Sequence, residues 1–441
     1  MNAKYTKIGL LVNKIPYSYI PYIGRVYCKH ISVINNYSKY NSVEQKLFIY
    51  NKIYALVEYA ISHIPFYKEF YSKKGFDISQ LNSFEDIVKI PVITKADLQS
   101  VPIEYRSCPN FISYQVRTGG SSGSPLTMYK TRSQQIKEMA YYHTAWADLN
   151  YSKSSLRLQF VGRKLQNRNF IYDIVKNELI CSTLMPFDEI LIRLEELNKE
   201  RKIQFLQGYP SVLYEFALYC KSNALLLTKS GLLQSLKGVF LNSEYPHQLY
   251  VKTIESVFNV GVIASYGHTE GAALAFDKGT GEYEIMQSYG YVESLESADG
   301  KHLIATSYDN LVSPLIRYDT DDLIDQSIVK DGILKSFIMS ENGGRNGQFV
   351  IDKNGNKISV TSIIFGRHHL LFDYCSQLQI CQKKPGDITV LYVPLSGLPN
   401  DINVEKYFDS SDLDLNLSFK KIKEPIRTIS GKVLLLVEYN D

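Results

Sequence analysis

No CxxC pair, no histidine at metal-ligand spacing and no sustained basic run occur in this 441-residue chain, and each absence removes a class of function. The six cysteines stand alone at 28, 108, 181, 220, 375 and 381. That argues against a zinc site or disulfides and for isolated buried thiols in a reducing cytosol. Lysine and arginine are scattered and the net charge is only +4, so nucleic acid is not an expected partner. The early apolar run, Ile8 to Val12, is cut short by Asn13 and Lys14. It is too short to span a bilayer or to act as a secretory core, and we expect a cytoplasmic protein. Internal repeats, low-complexity tracts and Pro/Ser linkers are missing too. What remains is an ordinary globular composition, 45% hydrophobic and 21% charged, long enough for a large core plus a smaller unit.

The most informative stretch is RTGGSSGSP, Arg117 to Pro125. Strand-like runs flank it, Phe111 to Val116 and Leu126 to Lys130, so it reads as a hairpin tip or a turn between adjacent strands. Gly119, Gly120 and Gly123 let the backbone gather its N–H groups into a hollow, and Thr118, Ser121 and Ser122 add hydroxyls. A polyphosphate needs such a surface. A plain surface turn has the same composition, so the loop alone does not decide. It lacks the Gly-Lys-Ser/Thr of a Walker loop and the helix-opening third glycine of the dinucleotide fingerprint.

Residues 1 to about 75 read as a helical extension, with apolar residues at helical spacing from Val43 to Ile64 and Pro65 closing the pattern. A further helix is expected from an N-cap at Ser133. From Leu156 to Gly267 strand-like and helical runs alternate, which predicts α/β layers with mainly parallel strands. Two motifs lie at strand ends, where open α/β sheets bind ligands. In VFLNSEYP, Ser243, Glu244 and Tyr245 follow an apolar strand; solvated loop residues would look the same. In SYGHTEG, Tyr266 can stack, Gly267 lets the chain pass close to a ligand, Thr269 offers a hydroxyl and Glu270 a carboxylate for Mg²⁺. His268 lines the same turn, either near a substrate or as a structural donor. In PLIRYDTDDL, Asp322 could chelate a cis-diol. DKNG, Asp352 to Gly355, signals a type I′-like turn between strands. Near the carboxyl end, PIRTISGK places Lys432 after Ser-Gly; an exposed lysine is the default there.

Taken in order, these motifs resemble the adenylate-forming superfamily. HIPFYKEFY and PVITKADL, before the Gly/Ser loop, are similar to the amino-terminal signature of the phenylacetate-CoA ligase-like family. Ser124, where many members have lysine, and the YGHTE wording resemble the capsular-polysaccharide (CapK-type) branch. The resemblance implies an α/β fold with a large amino-terminal adenylation domain, residues 1–345, and a small mobile α+β domain, residues 346–441, carrying Lys432. It further implies ATP and Mg²⁺, with Thr118 to Ser124 on the phosphates, Thr269 on the α-phosphate and Glu270 on the metal. Ser243 to Tyr245, Tyr266 and Gly267 would surround adenine, while Asp322 and Arg345 would hold the ribose. Lys432 would serve catalysis, and His268 would line the acid pocket. The reaction implied is activation of a small carboxylic acid as an acyl-adenylate, then transfer to an amine; the alternative acceptor is the thiol of CoA. The chain departs from the family at Asp319 and Asp321, where arginine and glycine are usual, and at Gly347 and Gln348, near the usual hinge.

Overall fold

The computed structural model describes the chain except residues 1–7, 10, 111, 119–124, 163–164, 166–169, 299, 341–348, 366–369, 396–402, 412, 429–430 and 440–441. The chain forms two compact units, each assembled from separated stretches. One contains residues 1–14, 153–264 and 340–441; the other contains 15–152 and 265–339.

In the first unit, residues 261–264 of strand Gly261–Gly267 and strands Gly238–Leu241, Phe205–Gly208, Arg157–Val161, Glu178–Ser182 and Phe170–Asp173 lie side by side in that order. All neighbours for which pairing is given run parallel except the last two, which are antiparallel. Helices Phe187–Glu200, Pro210–Ser222 and Gln248–Phe258 make the crossovers. Strands 205–208 and 238–241 are buried at every position, as expected of parallel strands covered on both faces. Strand 157–161 pairs with 178–182 on one side and 205–208 on the other, so the chain reverses its direction of travel through the sheet there. A crevice at the carboxyl ends of the strands is the usual ligand site of such a sheet.

The stretch from 349 onward has a core of its own, including Val350, Ile363, Leu378, Ile380, Val390 and Phe408. Its sheet orders strands Cys375–Lys384, Asp387–Pro394 and Asn416–Lys421, the first pair antiparallel and the second parallel. Strands Phe349–Ile351 and Lys357–Ser359 form the expected hairpin. Its connection differs from a two-residue turn: the Asp352 carboxylate accepts the backbone N–H groups of Asn354 and Asn356, bracing a longer loop.

The second unit packs helices Ile23–Tyr37, Ser42–His63, Pro65–Lys73 and Arg132–Trp146 with antiparallel strands. Strands Gly290–Ser297, Gly300–Ser307, Tyr318–Lys330, Ile333–Met339, Tyr283–Ile285 and Leu274–Asp277 follow one another in space. Pro65 ends one helical pattern and opens the next helix, where its missing N–H costs nothing. The helix expected from an N-cap at Ser133 starts two residues earlier: Thr131 is its cap, and Gln134 completes a capping box. Among the described residues, no helix is long and apolar enough to cross a membrane.

Candidate functional site

The sequence-predicted residues fall into two groups, one in each unit. In the second unit, strands Ser113–Arg117 and Thr127–Thr131 pair antiparallel up to Arg117 and Thr127, so the Gly/Ser stretch does join two paired strands. Thr118 extends the closure, since its N–H donates to Leu126 O and its hydroxyl accepts from Leu126 N–H, each at 2.9 Å. Gly119 to Ser124 and Arg345 lie outside the described residues.

Tyr266 is the next-to-last residue of strand 261–267, and its hydroxyl donates to Asp322 Oδ2 at 2.7 Å. The ring stands edge-on to Phe337. Asp322 is buried on strand 318–330 after a tight bend in which Asp321 has φ +61° and donates its N–H to Asp319 Oδ1. Burial, with Asp319 and Asp322 beside it, raises the Asp321 carboxyl above its ordinary range. His302 partners Asp319 at 3.1 Å.

The turn after Gly267 closes with Gly271 N–H on His268 O, Gly271 holding φ +69°. Thr269 is exposed on it and Glu270 is buried. His268 Nδ1 lies 3.2 Å from Glu270 Oε2, yet neither ring nitrogen has a hydrogen-bond partner among the described residues. Sequence reasoning missed Lys130, a buried lysine whose ammonium donates to Thr269 O at 3.0 Å. A Cβ at Gly271 would stand 3.3 Å from that ammonium, so the glycine leaves room for it. The signal was a lysine within a short, otherwise uncharged strand. Mg²⁺ usually takes one or two protein carboxylates and completes its shell with phosphate oxygens and water, so Glu270 alone suits it.

In the first unit, Ser243 follows strand 238–241 with φ +67°, and its carbonyl accepts from Lys432 Nζ at 2.9 Å. The Lys432 ammonium also lies 5.8 Å from the centre of the Tyr209 ring. The lysine loop closes on itself: Thr428 N–H donates to Lys432 O, and Lys432 N–H donates to Thr428 Oγ1. Gly431 has φ +82°, and a Cβ there would come within 2.5 Å of Gly162 Cα and 3.1 Å of Thr183 Oγ1. Gly162 and Thr183 directly follow strands 157–161 and 178–182. The loop therefore sits over the carboxyl ends of the strands where the sheet reverses, and only glycine permits that approach.

Glu244 is half-buried, with Oε2 accepting from Ser211 N–H at 3.2 Å and Oε1 from Val433 N–H at 3.0 Å. Burial raises its carboxyl pKa, partly offset by these hydrogen bonds and by Lys432. Tyr245 is partly exposed. The geometry thus gathers Ser243, Glu244 and Lys432, and separately Tyr266 with Asp322 and His268 with Glu270. Sequence reasoning also missed Glu215 and Arg427, an ion pair at 2.6 Å. A lone glutamate in the apolar helix PSVLYEFALYC was the available signal.

No family model matches the chain, and no curated protein does. Solved structures do match. A 2-hydroxyisobutyryl-CoA ligase in the postadenylation state, in complex with R3-HIB-AMP, aligns with a TM-score of 0.67 at 16% identity over 90% of each chain. The acyl acid amido synthetase AtGH3.15, in complex with 2,4-DB, aligns with a TM-score of 0.57 at 15% identity, over 90% of this chain and 89% of its own. These likenesses establish the fold, a mixed α/β architecture with a smaller carboxyl-terminal sheet unit.

Proposed function

We propose that this chain, with its adenylate-forming ligase fold, is an ATP-dependent, AMP-forming ligase that activates a small carboxylic acid and passes the acyl group to an acceptor. The observation that carries the reading is the seating of Lys432. A flexible cation in a carboxyl-terminal loop is brought by Gly431 onto the carboxyl ends of the parallel strands, beside Ser243 and Tyr209. That is where an α/β sheet receives a ligand.

A carboxylate is a poor electrophile, and joining it to the α-phosphorus of ATP with loss of pyrophosphate gives it a good leaving group. Charge builds on the phosphate oxygens during that exchange, and fixed donors facing it lower the barrier. In this reading Lys432 supplies one donor and the Thr118 to Ser124 loop supplies others. Tyr266 fixes one Asp322 oxygen, which orients the carboxylate toward a ribose diol. Ser243 to Tyr245 and Gly267 border the adenine, Arg345 adds a contact to the ribose, and Thr269 faces the α-phosphate. Glu270 would hold Mg²⁺, whose charge offsets that of the phosphates. His268, buried at its side, lines the acid pocket. Residues 346–441 act as the mobile part, withdrawing Lys432 after adenylation.

For the acceptor we propose an amine, giving an amide in surface-polysaccharide synthesis, on the strength of the CapK-type wording of the motifs. A CoA thiol is the second reading, favoured by the likeness to a CoA ligase. The test is pyrophosphate release from ATP and Mg²⁺ with a panel of aryl acids, amino acids and nucleotide-linked uronic acids, adding amines or CoA separately. One acid should trigger release that falls by about 10² to 10³ in Lys432→Ala. Asp322→Ala should raise the KM for ATP. Absence of both acid-dependent release and ATP binding would overturn the reading.

A further inference from the structure

The loop that carries Lys432 has a base, and the base is gripped at both flanks. Arg427 and Val433 pair across it as an antiparallel bridge. Inside the small module, Gln379 on strand 375–384 binds both sides of this base. Its amide donates to Ile426 O and Leu434 O and accepts from Ile426 N–H. The same two bridge residues are then held by carboxylates from the parallel-sheet part of the unit. The Arg427 guanidinium reaches Glu215 Oε2 at 2.6 Å, and Val433 N–H reaches Glu244 Oε1 at 3.0 Å. Glu215 lies on helix 210–222, and Glu244 follows strand 238–241 with its other oxygen on the first turn of that helix.

We propose that Glu215 and Glu244 are positioning residues, a carboxylate clamp that seats the base of the lysine loop and so sets where the Lys432 ammonium stands. This rests on the ligase reading for its purpose, but not for its existence. One carboxylate grips a side chain and the other a backbone N–H, on opposite strands of the base, so together they fix the loop's rotation as well as its position.

The chemistry around Glu215 suits a contact that depends on its partner. Burial pushes its carboxyl up to about 7, against the pull of Arg427; Glu244 and Gln377 face it as well, and Tyr214 and Tyr250 line the pocket. Its second oxygen, Oε1, has no hydrogen bond among the described residues. A buried carboxylate with one strong partner loses most of its reason to be charged when that partner leaves. Arg427 is therefore the member that cannot be replaced by an apolar side chain.

Hydrogen–deuterium exchange of the full chain tests the clamp without any knowledge of the acid. Glu215→Gln and Arg427→Met should each speed exchange in residues 425–437 by about fivefold or more, leaving strands 375–384 and 387–394 unchanged. Arg427→Lys, which keeps a cation, should fall between them and the unaltered chain. Unchanged exchange in residues 425–437 for both Glu215→Gln and Arg427→Met overturns the clamp. With an acid from the pyrophosphate panel, Glu215→Gln should lower the rate of adenylation by on the order of 10² with the KM for ATP unchanged. Transfer from preformed acyl-adenylate should keep its rate. Equal slowing of both steps would make Glu215 merely structural. Failure of the panel together with absence of ATP binding would overturn the ligase reading and leave the exchange result standing.

Discussion

Asp321 combines two burdens that most residues avoid. Its backbone is left-handed at φ +61°, and its carboxylate shares a bend with Asp319 and Asp322. Aspartate tolerates that backbone because its short polar side chain bonds locally, whereas a β-branched residue does not. Glycine, which stands there in the motif this run resembles, would carry neither burden. Asp321→Gly is expected to leave unfolding stability within about 0.5 kcal/mol, and Asp321→Val to lower it by about 1–2 kcal/mol. Thermal melts would check both. Equal melting temperatures for the two variants would mean that the bend does not hold its backbone in solution.

At the scale of the element, the lysine loop is the most constrained piece. Gly431 combines a positive φ with contact against Gly162 Cα, so Gly431→Ala meets backbone strain and a collision at once. Seating should be lost while the module core around Ile380 and Val390 stays intact. The expected result is near-complete loss of adenylation with a melting temperature within a few degrees of the parent, read by pyrophosphate release and calorimetry; retained activity would contradict it. The strands were largely legible because their apolar runs are local: FLQG, GVFL and GVIAS read as apolar strands and are strands. The hairpin around the Gly/Ser stretch was legible for the same reason. The clamp was not, because Glu215 and Arg427 stand 212 positions apart and neither has a local pattern that names its partner. The cap itself was legible and misjudged: Thr131 stands three residues before Gln134, the spacing of a capping box, whereas Ser133 has the apolar Ile136 at that distance.

At the scale of the molecule, the second unit is tied together by a buried polar cluster. Lys137 of helix 132–146 donates to Tyr289 O and Asp309, and Lys52 of helix 42–63 also pairs with Asp309. Although burial pulls the other way, Lys137 and Lys52 hold the Asp309 carboxyl well below its ordinary value. His30 of helix 23–37 is pushed down to about 4, by burial first and then by Lys137. Both depressions favour the deprotonated group in the fold, so stability falls as pH falls. The His30 contribution is lost between its ordinary 6.5 and about 4, and that of Asp309 below its ordinary 3.8. Melting temperatures from pH 7 to 3 should decline in two stages, with His30→Gln removing the upper one. Lys137→Met, which strips Asp309 of its main partner, should cost about 3 kcal/mol or more at neutral pH.

The interleaving of the units could not be read from composition, because no linker marks the crossings at 14, 152, 264 and 339. It matters during synthesis. Helix 132–146 leaves the ribosome with the face of Tyr141 and Tyr142 uncovered, because Tyr289, in the turn before strand 290–297, and Phe276, on strand 274–277, follow only after all of residues 153–264. At a translation rate of about 5–20 residues per second, that face waits roughly 5–20 s for its partner. For that interval the nascent chain displays a sticky half-core, so holdase chaperones that cover exposed aromatic helices should govern its yield more than the final stability does.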